Sequence, residues 1–219
     1  MTHEARAFLL DFVLANTAPG TAPLVPEIRL RLANDVLPLW QRTEERATAH
    51  CPPPYWAFAW PGGQALARYI LDHPSEFSGK SLLDFGAGSG LAAIAAAKVG
   101  ATVSAAEIDP LAIAVIEANA AENHVAVTCI LEDIIGSDEH WNIICFGDVS
   151  YERPLAERIR DWAAMLNARG ARVVLGDPGR SYFSDIGAVR LASYDVPTSL
   201  DLEDRDMRTT SVYELELKG

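Results

Sequence analysis

Three glycines at alternate positions, Gly86, Gly88 and Gly90, break the apolar run LLDFGAGSGLAAIAAA between Leu82 and Ala97. The residues before them read as a short buried strand. The alanine-rich residues after them read as a helix of strong formers. A strand that turns through glycines straight into a helix opens a β–α–β unit, and a chain built on that unit forms a parallel sheet covered by helices. The following residues keep the alternation. ATVSAAEID is strand-like, PLAIAVIEANAAEN is helical with Pro110 in its first turn, and VAVTCILED and WNIICFGDV are strand-like. RPLAERIRDWAAMLNARG is an amphipathic helix closed by Gly170, and ARVVLGDP is a fifth strand. Two alternating runs, AVRLASYDV and TTSVYELEL, flank an acidic loop and predict a closing antiparallel hairpin.

Residues 1–78 differ in texture and are expected to form a small N-terminal extension packed on a domain of residues 79–219. The extension should hold an amphipathic first helix, a strand-like piece in TAPLVPEIRLRLAND and a helix in LPLWQRTEERATAH. The segment CPPPYWAFAWPGG follows, where three prolines fix an extended approach and Tyr55, Trp56, Phe58 and Trp60 come in close succession. At 219 residues the chain suits one domain with a proper core and such an addition.

Charge and cysteines narrow the function. A formal net charge of −12 disfavours nucleic acid as a partner, because phosphate contacts need a basic face. It favours a cationic small molecule or a basic protein face. No apolar run is long enough to span a bilayer, so no membrane role is expected. The N-terminus, interrupted by Asp11 and carrying Glu4, is a poor signal peptide. Cys51, Cys129 and Cys145 lack the spacing of a metal site or a disulfide framework, and Cys129 and Cys145 sit in strand-like runs as small core residues. A cytoplasmic location and no metal are expected.

A glycine turn between strand and helix lets a ligand lie against bare backbone near a helix N-terminus. A dinucleotide wants G-x-G-x-x-G, with its pyrophosphate on the helix dipole. Here the spacing is G-x-G-x-G behind Asp84, and a carboxylate there suits an amino group better than a pyrophosphate. S-adenosylmethionine carries an amino group, a sulfonium and no phosphate. Glu107, at the end of the next strand, can accept two ribose hydroxyls, and neighbouring Asp109 can cap the following helix. Asp133, or Glu132, ends the third strand where an adenine amino group would lie. Asp148 and Tyr151, in FGDVSYERP after the fourth strand, face the same crevice and can position an amine. The alternative for Asp148 is a cap on the helix that follows.

Together, LLDFGAGSG, AAEIDP, LED and GDVSY resemble a class I, seven-strand S-adenosylmethionine-dependent methyltransferase. The D-x-x-Y of DVSY is similar to that of protein-lysine methyltransferases on this fold. PPPYWAFAWPGGQALARYILDHP, GDVSYERP, GDPGRSYF and RTTSVYEL resemble the electron transfer flavoprotein beta-subunit lysine methyltransferase group, from about Pro23 to the C-terminus. The resemblance implies a Rossmann-like, seven-stranded, mostly parallel sheet with helices on both faces. It implies S-adenosylmethionine as cofactor, with S-adenosylhomocysteine as product, and lysines of the beta subunit as substrate. By position it assigns Trp60, Asp84, Gly86, Gly88, Gly90, Glu107, Ile108, Asp133 and Asp148 to the cofactor, and Asp148 with Tyr151 to catalysis. Many relatives carry Asp where Glu107 stands. Trp56, Phe58, Trp60 and Tyr151 are candidates for an aromatic mouth that desolvates the amine. Pro178, Gly179 and Arg180 match a subgroup element with no role readable from the sequence. A small-molecule N-methyltransferase and a non-catalytic nucleoside-binding protein are the competing readings.

Overall fold

The computed structural model describes residues 3–33, 36–44, 53–198 and 203–216. The chain opens with helix α1 (His3–Asn16), strands β1 (Ala18–Ala22) and β2 (Val25–Leu32), and helix α2 (Val36–Glu44). A single 3-10 turn (Tyr55–Ala57) leads into α3 (Pro61–Asp72) and the short α4 (Pro74–Phe77). Then β3 (Ser81–Phe85), α5 (Leu91–Lys98), β4 (Thr102–Glu107), α6 (Pro110–Glu122) and β5 (Thr128–Leu131) alternate as the sequence requires. They are followed by β6 (Ile143–Gly147), α7 (Arg153–Ala168), β7 (Arg172–Asp177), β8 (Ala188–Pro197) and β9 (Met207–Leu215). Cys51, and residues 45–50 of the second expected helix, lie outside the described residues.

The main sheet has seven strands in the order β5-β4-β3-β6-β7-β9-β8. β5, β4, β3, β6 and β7 are parallel, and β9 runs antiparallel between β7 and β8. The chain winds outward from β3 to β5 and then returns to place β6 beside β3. Connections therefore leave in opposite directions at the carboxyl ends of β3 and β6, and a crevice opens there. Period-two alternation sorts the side chains. Leu82 of β3 and Cys145 of β6 join the core beneath α3, α5 and α6, and Leu83 and Phe146 join the core beneath α7. Trp162 of α7 closes that second core edge-on, 5.2 Å from Phe85 and 5.9 Å from Phe146 between ring centroids.

The N-terminal 78 residues supply more than a surface addition. α3 packs on α5 and on β6, β7, β8 and β9, so it completes one face of the sheet. The strand-like piece is an antiparallel hairpin, β1 with β2. It is tied to α6 by side-chain amides: Asn123 accepts from the Arg29 N–H at 3.1 Å and donates to the Arg29 carbonyl at 2.6 Å, and Asn119 accepts from the Arg31 N–H at 2.7 Å. α1 is less amphipathic than expected. It buries Phe12 and Val13 but leaves Phe8 and Leu14 exposed. Among the described residues, no helix is long and apolar enough to cross a membrane.

Candidate active site

A cavity of about 370 Å³ occupies the crevice, within the size range of small-ligand sites. Gly86 and Gly88 form its floor after β3, and Glu107 and Ile108 its wall after β4. Asp133 follows β5, Asp148 and Tyr151 follow β6, and Trp60 closes the end beside α3. One continuous surface thus joins eight of the sequence-predicted site residues.

Two predicted residues stand elsewhere. Asp84, expected at a ligand's amino group, does not line the cavity. Its side chain points to the opposite side of the loop, is 3% exposed, and accepts the Ala93 N–H at 2.9 Å in the first turn of α5. Burial pushes its carboxyl up to about 7, against the hydrogen bond from Ala93. Gly90, expected against the ligand, is the N-cap of α5 instead. It adopts φ +78°, and a Cβ there would come within 3.2 Å of Ile116 on α6. Both residues shape the loop from below.

Glu107 holds the loop from the cavity side. Its Oε1 accepts the Gly88 N–H at 2.8 Å and its Oε2 the Ile108 N–H at 3.1 Å. Burial raises its carboxyl, and those two N–H groups oppose the rise. Asp109 caps α6 by accepting the Leu111 N–H at 2.8 Å, as the sequence allowed. Asp133 is exposed at the rim, and the Arg158 guanidinium, 2.7 Å away, holds its carboxyl below the usual range.

Asp148 is the most constrained group. It follows Gly147 with φ +58°, a conformation that Asp tolerates better than most side chains, and it is 8% exposed. It does not cap α7, whose N-cap residue is Glu152. Its Oδ2 accepts the Gly62 N–H at the N-terminus of α3, and its Oδ1 accepts Arg180 Nε at 2.9 Å and Nη2 at 2.6 Å. Burial pushes its carboxyl up to about 6, with the Arg180 charge as the main opposing effect. Gly62 is a glycine because of this approach: a Cβ on it would fall on the Gly176 carbonyl oxygen and on the Asp148 carboxylate.

Arg180 gives the GDPGR stretch its role. Asp177 at the end of β7 accepts the N–H groups of Gly179 and Arg180, each at 2.7 Å, and folds the turn so that the guanidinium reaches Asp148. Its far side meets Glu203, with Nη2 2.6 Å from Oε1, and Glu203 in turn accepts Arg208 Nε at 3.1 Å. The Arg180 Cζ also lies 5.8 Å from the Trp60 ring centroid.

The aromatic mouth consists of Tyr55, Trp60 and Tyr151. Trp60 Nε1 donates to the Tyr55 carbonyl at 2.8 Å, and the Tyr55 ring lies 5.8 Å from Trp60 and 5.6 Å from Tyr151. Phe58, expected in the mouth, is buried behind Trp60 with the rings 6.2 Å apart, whereas Trp56, though only 2% exposed, lines the cavity wall. Burial raises the Tyr151 phenol to about 12, so it stays neutral and does not serve as a base at physiological pH. The sequence reading noted Tyr55 without placing it in the mouth, and passed over Gly62 and Glu203. PYWAFAW contained the signal for Tyr55. Gly62 and Glu203 gain meaning only when distant segments meet.

The lining carries five carboxylates, Glu107, Asp109, Glu132, Asp133 and Asp148, against two guanidiniums, Arg158 and Arg180, each already paired. That field repels a pyrophosphate and attracts a cation. The geometry offers hydroxyl acceptors at one end, and an aromatic collar with a hydrogen-bonded carboxylate at the other.

Comparisons with known proteins place the chain among methyltransferases. Residues 65–146 match a family model described as ribosomal protein L11 methyltransferase (PrmA). The chain is 37% identical over 217 residues to the electron transfer flavoprotein beta subunit lysine methyltransferase of Danio rerio, covering 95% of this chain and 83% of that one. It is 35% identical over 221 residues to the protein of the same name in Homo sapiens, covering 96% and 81%. Among solved structures, it resembles a tRNA (uracil-54, C5)-methyltransferase of Pyrococcus abyssi in complex with S-adenosyl-L-homocysteine. The TM-score is 0.55 at 12% identity, covering 91% of this chain and 43% of that chain. It also resembles the magnesium protoporphyrin IX methyltransferase of Synechocystis PCC 6803 with bound SAM, with a TM-score of 0.53 at 15% identity over 71% and 80% of the two chains. These structural likenesses speak to the fold alone.

Proposed function

Because the chain belongs to the family of electron transfer flavoprotein beta subunit lysine methyltransferases, we propose that it methylates lysine side chains of that subunit, with S-adenosylmethionine as donor. The observation that carries the reading is that one cavity joins the Glu107 carboxylate at one end to Asp148 among aromatic rings at the other, which suits a nucleoside at the first and an amine at the second. The residues present fit the cofactor. Gly86 and Gly88 offer bare backbone, Glu107 offers a carboxylate to ribose hydroxyls, Asp133 lies at the adenine end, and the net negative lining suits a sulfonium and an α-ammonium. When bound, the cofactor supplies an electrophilic methyl group on a sulfonium.

The protein's own contribution is to position and desolvate. Tyr55, Trp60 and Tyr151 form a collar through which a four-carbon lysine stem can pass, and their faces penalise a hydrated ammonium. Asp148 Oδ2, bonded so far only to Gly62, keeps a lone pair to accept an N–H and fix the amine's direction. Holding the reactants in line can contribute roughly 7–11 kcal/mol to the barrier reduction. The amine's surplus proton leaves to water. The free thiols Cys129 and Cys145 suit a reducing compartment, and we place the reaction in the cytoplasm.

Incubation of the purified protein with labelled S-adenosylmethionine and purified beta subunit, followed by mass spectrometry, tests the reading. Methyl groups should map to lysine side chains. Transfer to nicotinamide or another small amine, with none to the subunit, would assign the site to a small-molecule N-methyltransferase.

A further inference from the structure

A carboxylate beside a lysine poses a problem for a methyltransferase. An unpaired carboxylate stabilises the ammonium and raises the amine's pKa, and an ammonium has no lone pair with which to attack. Asp148 is not unpaired. Arg180 donates twice to its Oδ1, and the N-terminus of α3 supplies the Gly62 N–H to its Oδ2. We infer that Arg180 is a positioning residue that neutralises Asp148 in advance, so that the site orients a lysine amine without holding it protonated. This rests on the lysine-methyltransferase reading and adds to it the residue that selects the neutral, nucleophilic form of the substrate.

Three observations converge. The guanidinium borders the cavity and lies against the Trp60 face, so an arriving ammonium meets a cation already in the aromatic collar. A second cation beside an amine depresses its pKa. Arg180 is also fixed rather than free to swing away. Asp177 at the end of β7 folds its backbone turn, and Glu203, 3% exposed in its side chain, binds its outer edge together with Arg208 at the start of β9. Asp148 keeps a hydrogen-bond acceptor at Oδ2 while its charge is compensated at Oδ1. A neutral amine needs the former and gains little from the latter. The other groups facing the amine end are Tyr55 and Tyr151, with Glu152 and Glu107 acting on Tyr151 through space.

The test compares the full-length wild type with R180Q, which removes the charge, and R180K, which keeps it. Methyl transfer to the beta subunit is followed from about pH 6 to about pH 10 at saturating cofactor. For R180Q, the limb on which the rate rises with pH should move up by about one pH unit, giving about a tenfold rate loss near neutrality that is recovered at high pH. R180K should keep the wild-type limb. A loss in R180Q by the same factor at every pH, or a limb in R180K that moves with that of R180Q, would overturn the inference and leave Arg180 a purely structural clamp.

A wild type that transfers nothing to lysine overturns the functional reading instead. The guanidinium is then read by calorimetry with the cofactor analogue in which an aminomethine replaces the methylsulfonium. R180Q should bind this ammonium about tenfold tighter than the wild type near pH 7, because Asp148 becomes free to pair with it. Equal or weaker binding by R180Q would overturn the inference, and no binding by either protein would remove its premise.

Discussion

At the scale of single residues, the proposed function divides the site into groups that would hold a nucleoside and groups that would hold an amine, and substitutions should separate them. Glu107→Ala removes the proposed acceptor for two hydroxyls and also the anchor of the Gly88 and Ile108 N–H groups. Affinity for S-adenosylhomocysteine, measured by calorimetry, should fall about tenfold to a hundredfold, the equivalent of roughly 1.5–3 kcal/mol for a charge-assisted bond. Asp148→Asn should leave that affinity nearly intact and lower turnover instead. Burial pushes the Asp148 carboxyl up to about 6, so if it orients the amine as a carboxylate, wild-type activity should show an additional fall as pH drops through that value. That additional break, lying below the limb set by the amine's own protonation, should be absent from the Asn variant, and a break that persists there would assign it to another group. The positions of Glu107, Asp133, Asp148 and Tyr151 were legible because each sits at the end of an apolar strand or a few residues past it, where this topology puts its cleft. The role of Asp84 was not. Strand period fixes its direction: two residues after Leu82, it faces α5, away from the cavity. Arg180 could be seen as part of a motif but not understood, because its partners lie 32 residues before and 23 residues after it.

At the scale of elements, the alternation of strands and helices from β3 to β7 could be read from periodicity and glycine stops, and the closing hairpin from its alternating runs. The placement of α3 could not. Nothing local says that a helix preceding the first parallel strand packs across β6, β7, β8 and β9 and aims its N-terminus at Asp148. The junction of β3 with α5 has a thermodynamic consequence. Asp84 caps α5 from within the core, and its carboxyl is raised from the ordinary 3.8 to about 7. Between those values the native state holds a proton that the unfolded chain has released, so stability is greater at the lower pH and is lost as pH rises through the window. Asp109, Asp148, Asp177 and Glu107 are raised as well and act in the same direction, whereas Glu27, Glu76 and Asp133 are lowered and exert their effect at more acidic pH. The melting temperature of the wild type should therefore fall between about pH 5.5 and about pH 7.5. Asp84→Asn keeps the acceptor and should flatten the fall by up to roughly 3–5 °C per pH unit. An unchanged slope in calorimetric scans would mean that Asp84 is ionised across the range.

At the scale of the whole molecule, the proposed recognition should depend on charge. A net charge of −12 should disfavour acidic surfaces and favour a lysine-bearing basic face. Methylation of the beta subunit should slow as ionic strength rises from about 0.01 M to about 0.15 M, where the screening length shrinks from ~30 Å to ~8 Å. The change should fall on kcat/KM and leave kcat almost unaffected, and a salt-independent kcat/KM would mean that apolar contacts guide docking. The tie between Gly62, Asp148, Arg180 and Glu203 also sets a timetable for synthesis. The nucleoside end of the cavity draws on residues between Gly86 and Asp133, but the amine end is not fixed until Glu203 has left the ribosome. At bacterial-to-eukaryotic elongation rates, the stretch separating Asp133 from Glu203 takes on the order of 10 s to emerge. A nascent chain thus exposes the residues that line one end of the cavity well before Glu203, the residue that fixes Arg180 and Asp148 at the other.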